Sequence, residues 1–138
     1  MELNGIAHLQ LTVRDLQRSI AFYEPLLHFF EMKTVVKTPD MFYCVGSRTG
    51  VALSQGDPQY RHDHFHQRRI GLHHFCFRAR SRSDVDEIFK FIDKFDARII
   101  HGPQEDGFAP GYYSILFEDP DCIRIEVNYV PGKGLLDP

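Results

Sequence analysis

Two stretches far apart in the chain follow one pattern. GIAHLQL at 5–11 and GLHHFCF at 71–77 both read Gly, aliphatic, any residue, His, apolar, any residue, apolar. A repeat constrains the fold more than any single motif does, because each copy must be one supersecondary unit built twice. Both stretches have period two and read as half-buried strands. In the first, Ala7, Leu9, Leu11 and Val13 form one face and Ile6, His8, Gln10 and Thr12 the other. In the second, Phe75 and Phe77 share the apolar face, while His74, Cys76 and Arg78 share the other. His8 and His74 thus hold equivalent places, each on the more polar side of its strand.

A helix signal follows each strand. Asp15 is a natural N-cap, and Leu16, Ile20, Tyr23, Leu27 and Phe30 recur at three- and four-residue steps as one apolar stripe. Pro25 inside that pattern predicts a kink or a new turn. In the second half Ser83 precedes Asp84 and Asp86 in a capping-box-like arrangement, with Val85, Ile88, Phe89, Ile92 and Phe95 as the stripe. Three short strand candidates come after each helix, at about 31–37, 40–46 and 50–55, then at about 97–101, 111–118 and 122–130. Gly46 to Gly50 and the turn EDPD at 118–121 punctuate them. Each half therefore reads β-α-β-β-β, an α+β plan. Module 1 spans about 5–55, a polar inter-module loop about 56–70, module 2 about 71–130 and a tail 131–138. Neither half can bury its sheet alone, so the two are expected to pack as one domain.

The length of 138 residues suits one domain, and 43% hydrophobic with 25% charged residues is a globular composition. The net charge of −3, with signs interspersed, leaves no basic face for nucleic acid or anionic lipid. Arg61, Arg68, Arg69, Arg78, Arg80 and Arg82 cluster but are broken by Asp63, Asp84 and Asp86. No apolar run approaches the ~20 residues of a membrane span, and MELNGIAHLQ lacks the plan of a signal peptide. Cys44, Cys76 and Cys122 have no paired spacing, which reads as reduced thiols in a cytoplasmic protein.

The strand CIRIEVNYV alternates cleanly, with Ile123, Ile125, Val127 and Tyr129 one way and Arg124, Glu126 and Asn128 the other. A carboxylate in mid-strand is explained simply by solvent, or by an ion pair with Arg124 or Arg78. The repeat offers another explanation. If two equivalent halves turn their polar sheet faces toward a shared cleft, His8, His74 and Glu126 converge. Two neutral imidazoles and one carboxylate hold a divalent first-row metal on one side and leave positions open for substrate.

The segments GIAHLQLTVRDLQRSIAFYEPLL, GLHHFCFRA and GYYSILFEDPDCIRIEV, with the doubled βαβββ plan, make the chain similar to the vicinal oxygen chelate superfamily along nearly its whole length. That group includes glyoxalases, extradiol dioxygenases, fosfomycin-resistance and bleomycin-resistance proteins. The resemblance implies an open, cupped mixed sheet with a central cleft, and metal ligands at His8, His74 and Glu126. It also implies a homodimer. The chain departs from the family twice. Glyoxalases usually add a fourth ligand, a carboxylate on the fourth strand, but setting VALS against IEVN places Ala52 opposite Glu126. And DPDC stands where the family usually has DPDG, so Cys122 falls where glycine would supply a positive φ.

The stretch HDHFHQRRIGLHHF at 62–75 holds five of the eight histidines. His62, His64 and His66 would align on a strand, but their polar segment reads as a solvated loop. His73 should face opposite to His74, as a structural histidine. His28 suits the negative end of the first helix. Cys76 is either a reactive thiol beside a metal or a small buried hydrophobe. Gln10, Cys76, Arg78, Tyr112, Arg124 and Asn128 are candidates for substrate contact. GPQEDGFAPGYY should form a loop beside the cleft, with Tyr113 on the apolar side together with Ile115, and Tyr112 on the other with Ser114.

The expected function is a glyoxalase- or dioxygenase-like metalloenzyme acting on a small molecule with adjacent oxygens, by isomerisation or lysis, ring cleavage or thiol transfer. Iron(II) or manganese(II) best suits two histidines and a carboxylate, with zinc and nickel also open. The rival expectation is a non-catalytic protein that sequesters a small molecule, as bleomycin-resistance proteins do.

Overall fold

The computed structural model describes residues 1–46, 48–95 and 97–134; residues 135–138 of the expected tail lie outside them. The chain divides into two compact units, Met1–His64 and Phe65 onward. Among the described residues no helix is long and apolar enough to cross a membrane.

The first unit runs β1 (Leu9–Val13), α1 (Leu16–Phe29), β2 (Lys33–Lys37), β3 (Met41–Gly46) and β4 (Thr49–Gln55). Its open sheet has the order β1-β4-β3-β2, with β1 parallel to β4 and the other pairs antiparallel. Asp15 caps α1 through its side chain, which accepts from the Arg18 N–H at 3.0 Å. The helix runs on through Pro25 to Phe29 without starting anew. Its buried stripe, Leu16, Ser19, Ile20, Tyr23, Leu26 and Leu27, meets β2, β3 and β4. On the sheet face toward it, Leu11, Val13, Phe42, Cys44, Val51 and Leu53 complete the core.

The second unit repeats the plan as β5 (Phe75–Arg78), α2 (Arg82–Asp93), β6 (Arg98–Glu105), β7 (Tyr113–Glu118) and β8 (Arg124–Tyr129). Its open sheet has the order β5-β8-β7-β6, again with the first strand parallel to the last. Val85, Ile88 and Ile92 of α2 are buried, and the helix packs on β6, β7 and β8. Ser81, and not Ser83, is the N-cap. Its hydroxyl accepts from Asp84 N–H at 3.1 Å, and the Asp84 carboxylate accepts from Arg80 N–H at 3.1 Å. The exchange runs from 81 to 84, and Ser83 lies inside the helix.

β6 extends to Glu105, past the expected end near 101, because the ladder with β7 is irregular between Ile99 and His101 and between His101 and Gln104. Such shifts let a strand carry Gly102 and Pro103, which otherwise read as breakers. The connection to β7 is correspondingly short, at 106–112.

At the DPDC turn the Asp119 carboxylate Oδ1 accepts from the backbone N–H of Asp121 and of Ile123, each at 2.8 Å. Cys122 adopts φ 67°, the left-handed conformation anticipated for the glycine position. A side chain there costs roughly 1–2 kcal/mol. Cys122→Gly is therefore expected to raise stability by about 1 kcal/mol after glycine's larger unfolded-state entropy is deducted. Thermal unfolding should show an increase of about 4 °C; an unchanged or lower midpoint would mean that the turn holds residue 122 without strain.

Candidate functional site

The two sheets use corresponding registers. Gln10 pairs with Ala52 across β1 and β4, and Cys76 pairs with Glu126 across β5 and β8. His8 and His74 each immediately precede the first strand of their unit. Ala52 thus takes in the first sheet the place that Glu126 takes in the second.

In the second unit the face of the sheet away from α2 gathers the polar groups. His74 Nε2 lies 3.0 Å from Glu126 Oε2. The other carboxylate oxygen, Oε1, accepts from the Tyr112 hydroxyl at 2.5 Å, and that phenolic oxygen accepts from Asn128 Nδ2 at 2.9 Å. Burial first, and then the bond to the carboxylate, raise the pKa of Tyr112, so the phenol keeps its proton. Glu126 is buried and His74 partly so. The mid-strand carboxylate is therefore partnered by a histidine and a tyrosine and not by an arginine.

Adjacent tyrosines diverge, Tyr113 opening β7 and Tyr112 ending the connection before it. Tyr112 turns to Glu126, whereas the Tyr113 hydroxyl donates to Asp86 of α2 at 2.6 Å, with the Arg82 guanidinium 4.1 Å from its ring centroid. The 106–112 connection is fixed at its base. Ser114 Oγ donates to Asp106 Oδ2 at 2.7 Å and Gln104 Nε2 to Oδ1 at 3.0 Å. Burial alone would raise the Asp106 pKa, but these two hydrogen bonds, together with the charge of His101, hold the group below its usual value. Phe108, exposed at the loop tip, meets the Tyr112 ring at a centroid distance of 5.4 Å.

The remaining candidates are placed individually. Arg124 Nε reaches Glu118 Oε1, its cross-strand neighbour, at 3.4 Å. Arg78 donates to the Val130 carbonyl at 3.5 Å. Cys76 is exposed as a residue, yet crowding of its sulfur by protein atoms and then the Glu126 charge push the thiol up to about 12. The two causes have the same sign, so the group stays a thiol. In the first unit Gln10 Nε2 donates to Ser54 Oγ at 3.2 Å. His8 is exposed, and its ring meets the edge of Tyr43 at 6.4 Å between centroids. Tyr43 of β3 carries no sequence motif that marks it. The register puts it on the Gln10 face, both being paired with Ala52, and it lies close to Gly50, where an added Cβ would come within 2.6 Å of its ring.

His73 does not oppose His74. Both precede β5, so strand alternation does not yet apply, and their Nδ1 atoms lie 2.7 Å apart. One of the two must donate. If His74 Nε2 is to offer a lone pair, its proton sits on Nδ1 and His73 accepts it. His62, His64 and His66 lie in irregular chain. His64 Nδ1 takes a hydrogen bond from Arg14 at 3.0 Å and His66 Nδ1 one from Arg68 N–H at 3.2 Å.

Two atoms each ~2.1 Å from one cation, at a right angle, stand about 3.0 Å apart. The His74–Glu126 separation has that value, and imidazole with carboxylate is a donor pair that first-row divalent ions accept. The residues present fit such an ion. Among the described residues no set of three or more His, Cys, Asp or Glu side chains is gathered as a metal site.

The family model for the glyoxalase/bleomycin resistance protein/dioxygenase superfamily matches residues 5–127. The chain belongs to that superfamily. It is 27% identical over 122 residues to the uncharacterized protein YqjT of Bacillus subtilis, covering 87% of this chain and 94% of the other. It is 28% identical over 137 residues to the metallothiol transferase FosB of Lysinibacillus sphaericus, covering 99% and 90%. The crystal structure of a glyoxylase/bleomycin resistance protein/dioxygenase domain from Frankia sp. EAN1pec matches with a TM-score of 0.75 at 27% identity, over 93% of this chain and 98% of the other.

Proposed function

We propose that the protein is a metal-dependent enzyme in which His8, His74 and Glu126 hold one divalent cation, iron(II) or manganese(II) before zinc or nickel, and that its substrate is a small molecule with adjacent oxygens. The observation that carries this reading is the pair of His74 Nε2 and Glu126 Oε2, two donors of suitable type at the spacing of neighbouring ligands. Superfamily membership and a relative of similar length named as a metallothiol transferase support it. When bound, the cation would supply Lewis acidity to substrate oxygens.

The chain's own residues do the rest. Glu126 offers one oxygen on the His74 side. Tyr112 and Asn128 occupy the other side of the carboxylate. Cys76 stands across from Glu126 on the neighbouring strand. Ala52 stands where glyoxalases usually place a fourth ligand, so three protein donors would leave about three positions of an octahedral ion for substrate and water. His8 belongs to the first unit, and the reading requires it from the same chain, packed as one domain around a cleft, or from a second copy in a homodimer. Reduced cysteines suit a cytoplasmic setting.

Elemental analysis tests the proposal. Protein purified without added metal should carry near one divalent ion per chain, and His74→Ala should carry less than a tenth of that. Loss of one of three protein ligands weakens binding by at least 10–100-fold, the range for second-sphere changes alone. An absence of bound metal, together with small-molecule binding undiminished by His74→Ala, would instead identify a sequestering protein.

A further inference from the structure

Asn128 is bonded to the Tyr112 hydroxyl, and Tyr112 in turn to Glu126. We infer that Tyr112, held by Asn128, is a positioning residue that makes Glu126 a one-oxygen ligand; this rests on the metal-dependent reading above.

The direction of each bond follows from chemistry. An amide nitrogen only donates, so the Asn128 Nδ2–H points to the phenolic oxygen at 2.9 Å. The phenol has a single proton, and a carboxylate only accepts, so that proton goes to Glu126 Oε1 at 2.5 Å. The chain of donors therefore runs one way, from Asn128 through Tyr112 to the carboxylate. Oε1 is engaged, and Oε2 is left on the His74 side at 3.0 Å from Nε2. A carboxylate free to rotate could present both oxygens to a cation and use two of its positions. The phenol prevents this.

The clamp comes from two rigid places. Asn128 stands on β8 two residues beyond Glu126, so both side chains share one face of the strand. Tyr112 ends the 106–112 connection, whose ends are tied by the Asp106 N–H to the Tyr112 carbonyl at 2.9 Å, and the Tyr112 N–H bonds back to the Ala109 carbonyl at 3.1 Å. The ring is further braced by Phe108. Neither residue is needed for the main core, which α2 covers on the opposite face of the sheet. A purely structural hydroxyl would affect unfolding and leave the bound ion's spectrum alone; a positioning hydroxyl does the reverse.

The test is titration of the metal-free full-length protein with cobalt(II) chloride, read by calorimetry and by visible absorption. Tyr112→Phe should bind cobalt 10–100-fold more weakly because the carboxylate is no longer held in place, with altered visible band intensities as it turns, while the metal-free thermal midpoint stays within about 4 °C of wild type. Asn128→Ala should weaken binding by a smaller factor, since the phenol then keeps its proton donation but loses its own support. If wild type binds and His74→Ala does not, but Tyr112→Phe matches wild type in affinity and spectrum, the positioning role is overturned and the metal-enzyme reading stands. If wild type binds no cobalt, both fall. Should Tyr112→Phe fail to fold, Asn128→Ala decides alone, and wild-type affinity and spectrum in that variant overturn the inference.

Discussion

Phe117→Ala is expected to destabilise the protein by about 4 kcal/mol, within the range for large-to-small changes at fully buried aromatic positions. Phe117 is wholly buried on β7, with Ile99 and Ile125 as its cross-strand neighbours. Ile115 and Val127 lie on the same face. Removing the ring leaves a cavity that rigid strands on both sides cannot close, so the cost combines lost transfer energy with lost contacts. Total stabilities are of the order of 5–15 kcal/mol, so this loss would bring the domain near its unfolding limit at ordinary temperatures. The adjacent Leu116 faces the other way, opposite Glu126, and is only half-buried. Leu116→Ala is expected to cost roughly 1–2 kcal/mol, in proportion to the apolar area concerned. Urea denaturation of the two variants checks the face assignment directly. Equal losses would mean that the register of β7 against β8 is wrong, and with it the placement of Glu126.

The repeat made much of this architecture legible before any coordinates. A period-two strand is a local property, and the recurrence of Gly-aliphatic-x-His located both strand starts, so His8 and His74 were paired by pattern alone. Glu126 was identifiable because a carboxylate amid isoleucine and valine is out of place. The positive φ of Cys122 agrees with the resemblance, which sets a glycine at that place in the turn. Features that depend on geometry between elements were less accessible. That Tyr112 bonds Glu126 follows from how the 106–112 connection folds back, which composition does not encode. The helix cap is Ser81 and not Ser83 although both serines have an acid three residues on, Asp84 and Asp86, because the backbone is already helical at Ser83. The extension of β6 through Gly102 and Pro103 was hidden because a ladder shift depends on the partner strand. His73 was misplaced by carrying alternation two residues upstream of where β5 starts.

The contrast between Ala52 and Glu126 supplies the second large effect. Ala52→Glu is expected to lower stability by about 3–4 kcal/mol in the metal-free protein, because a carboxylate at a position only 2% exposed loses its hydration. Its cross-strand neighbours, Gln10 and Tyr43, offer at most hydrogen bonds and no positive charge. A fall in the thermal midpoint of more than 10 °C should follow. The same substitution restores in the first sheet the residue that the second sheet has at the equivalent register position. If the polar faces of both units serve one cation, added manganese(II) should raise the midpoint of Ala52→Glu by more than it raises that of wild type, because the new carboxylate joins as a ligand and its burial is offset by the ion's charge. If manganese raises both midpoints equally, the Ala52 face is remote from the cation, and a shared site including His8 is untenable even though His74 and Glu126 stand together. Thermal unfolding of the two proteins, with and without the ion, thus separates the part of the proposed site that one unit supplies from the part that needs both.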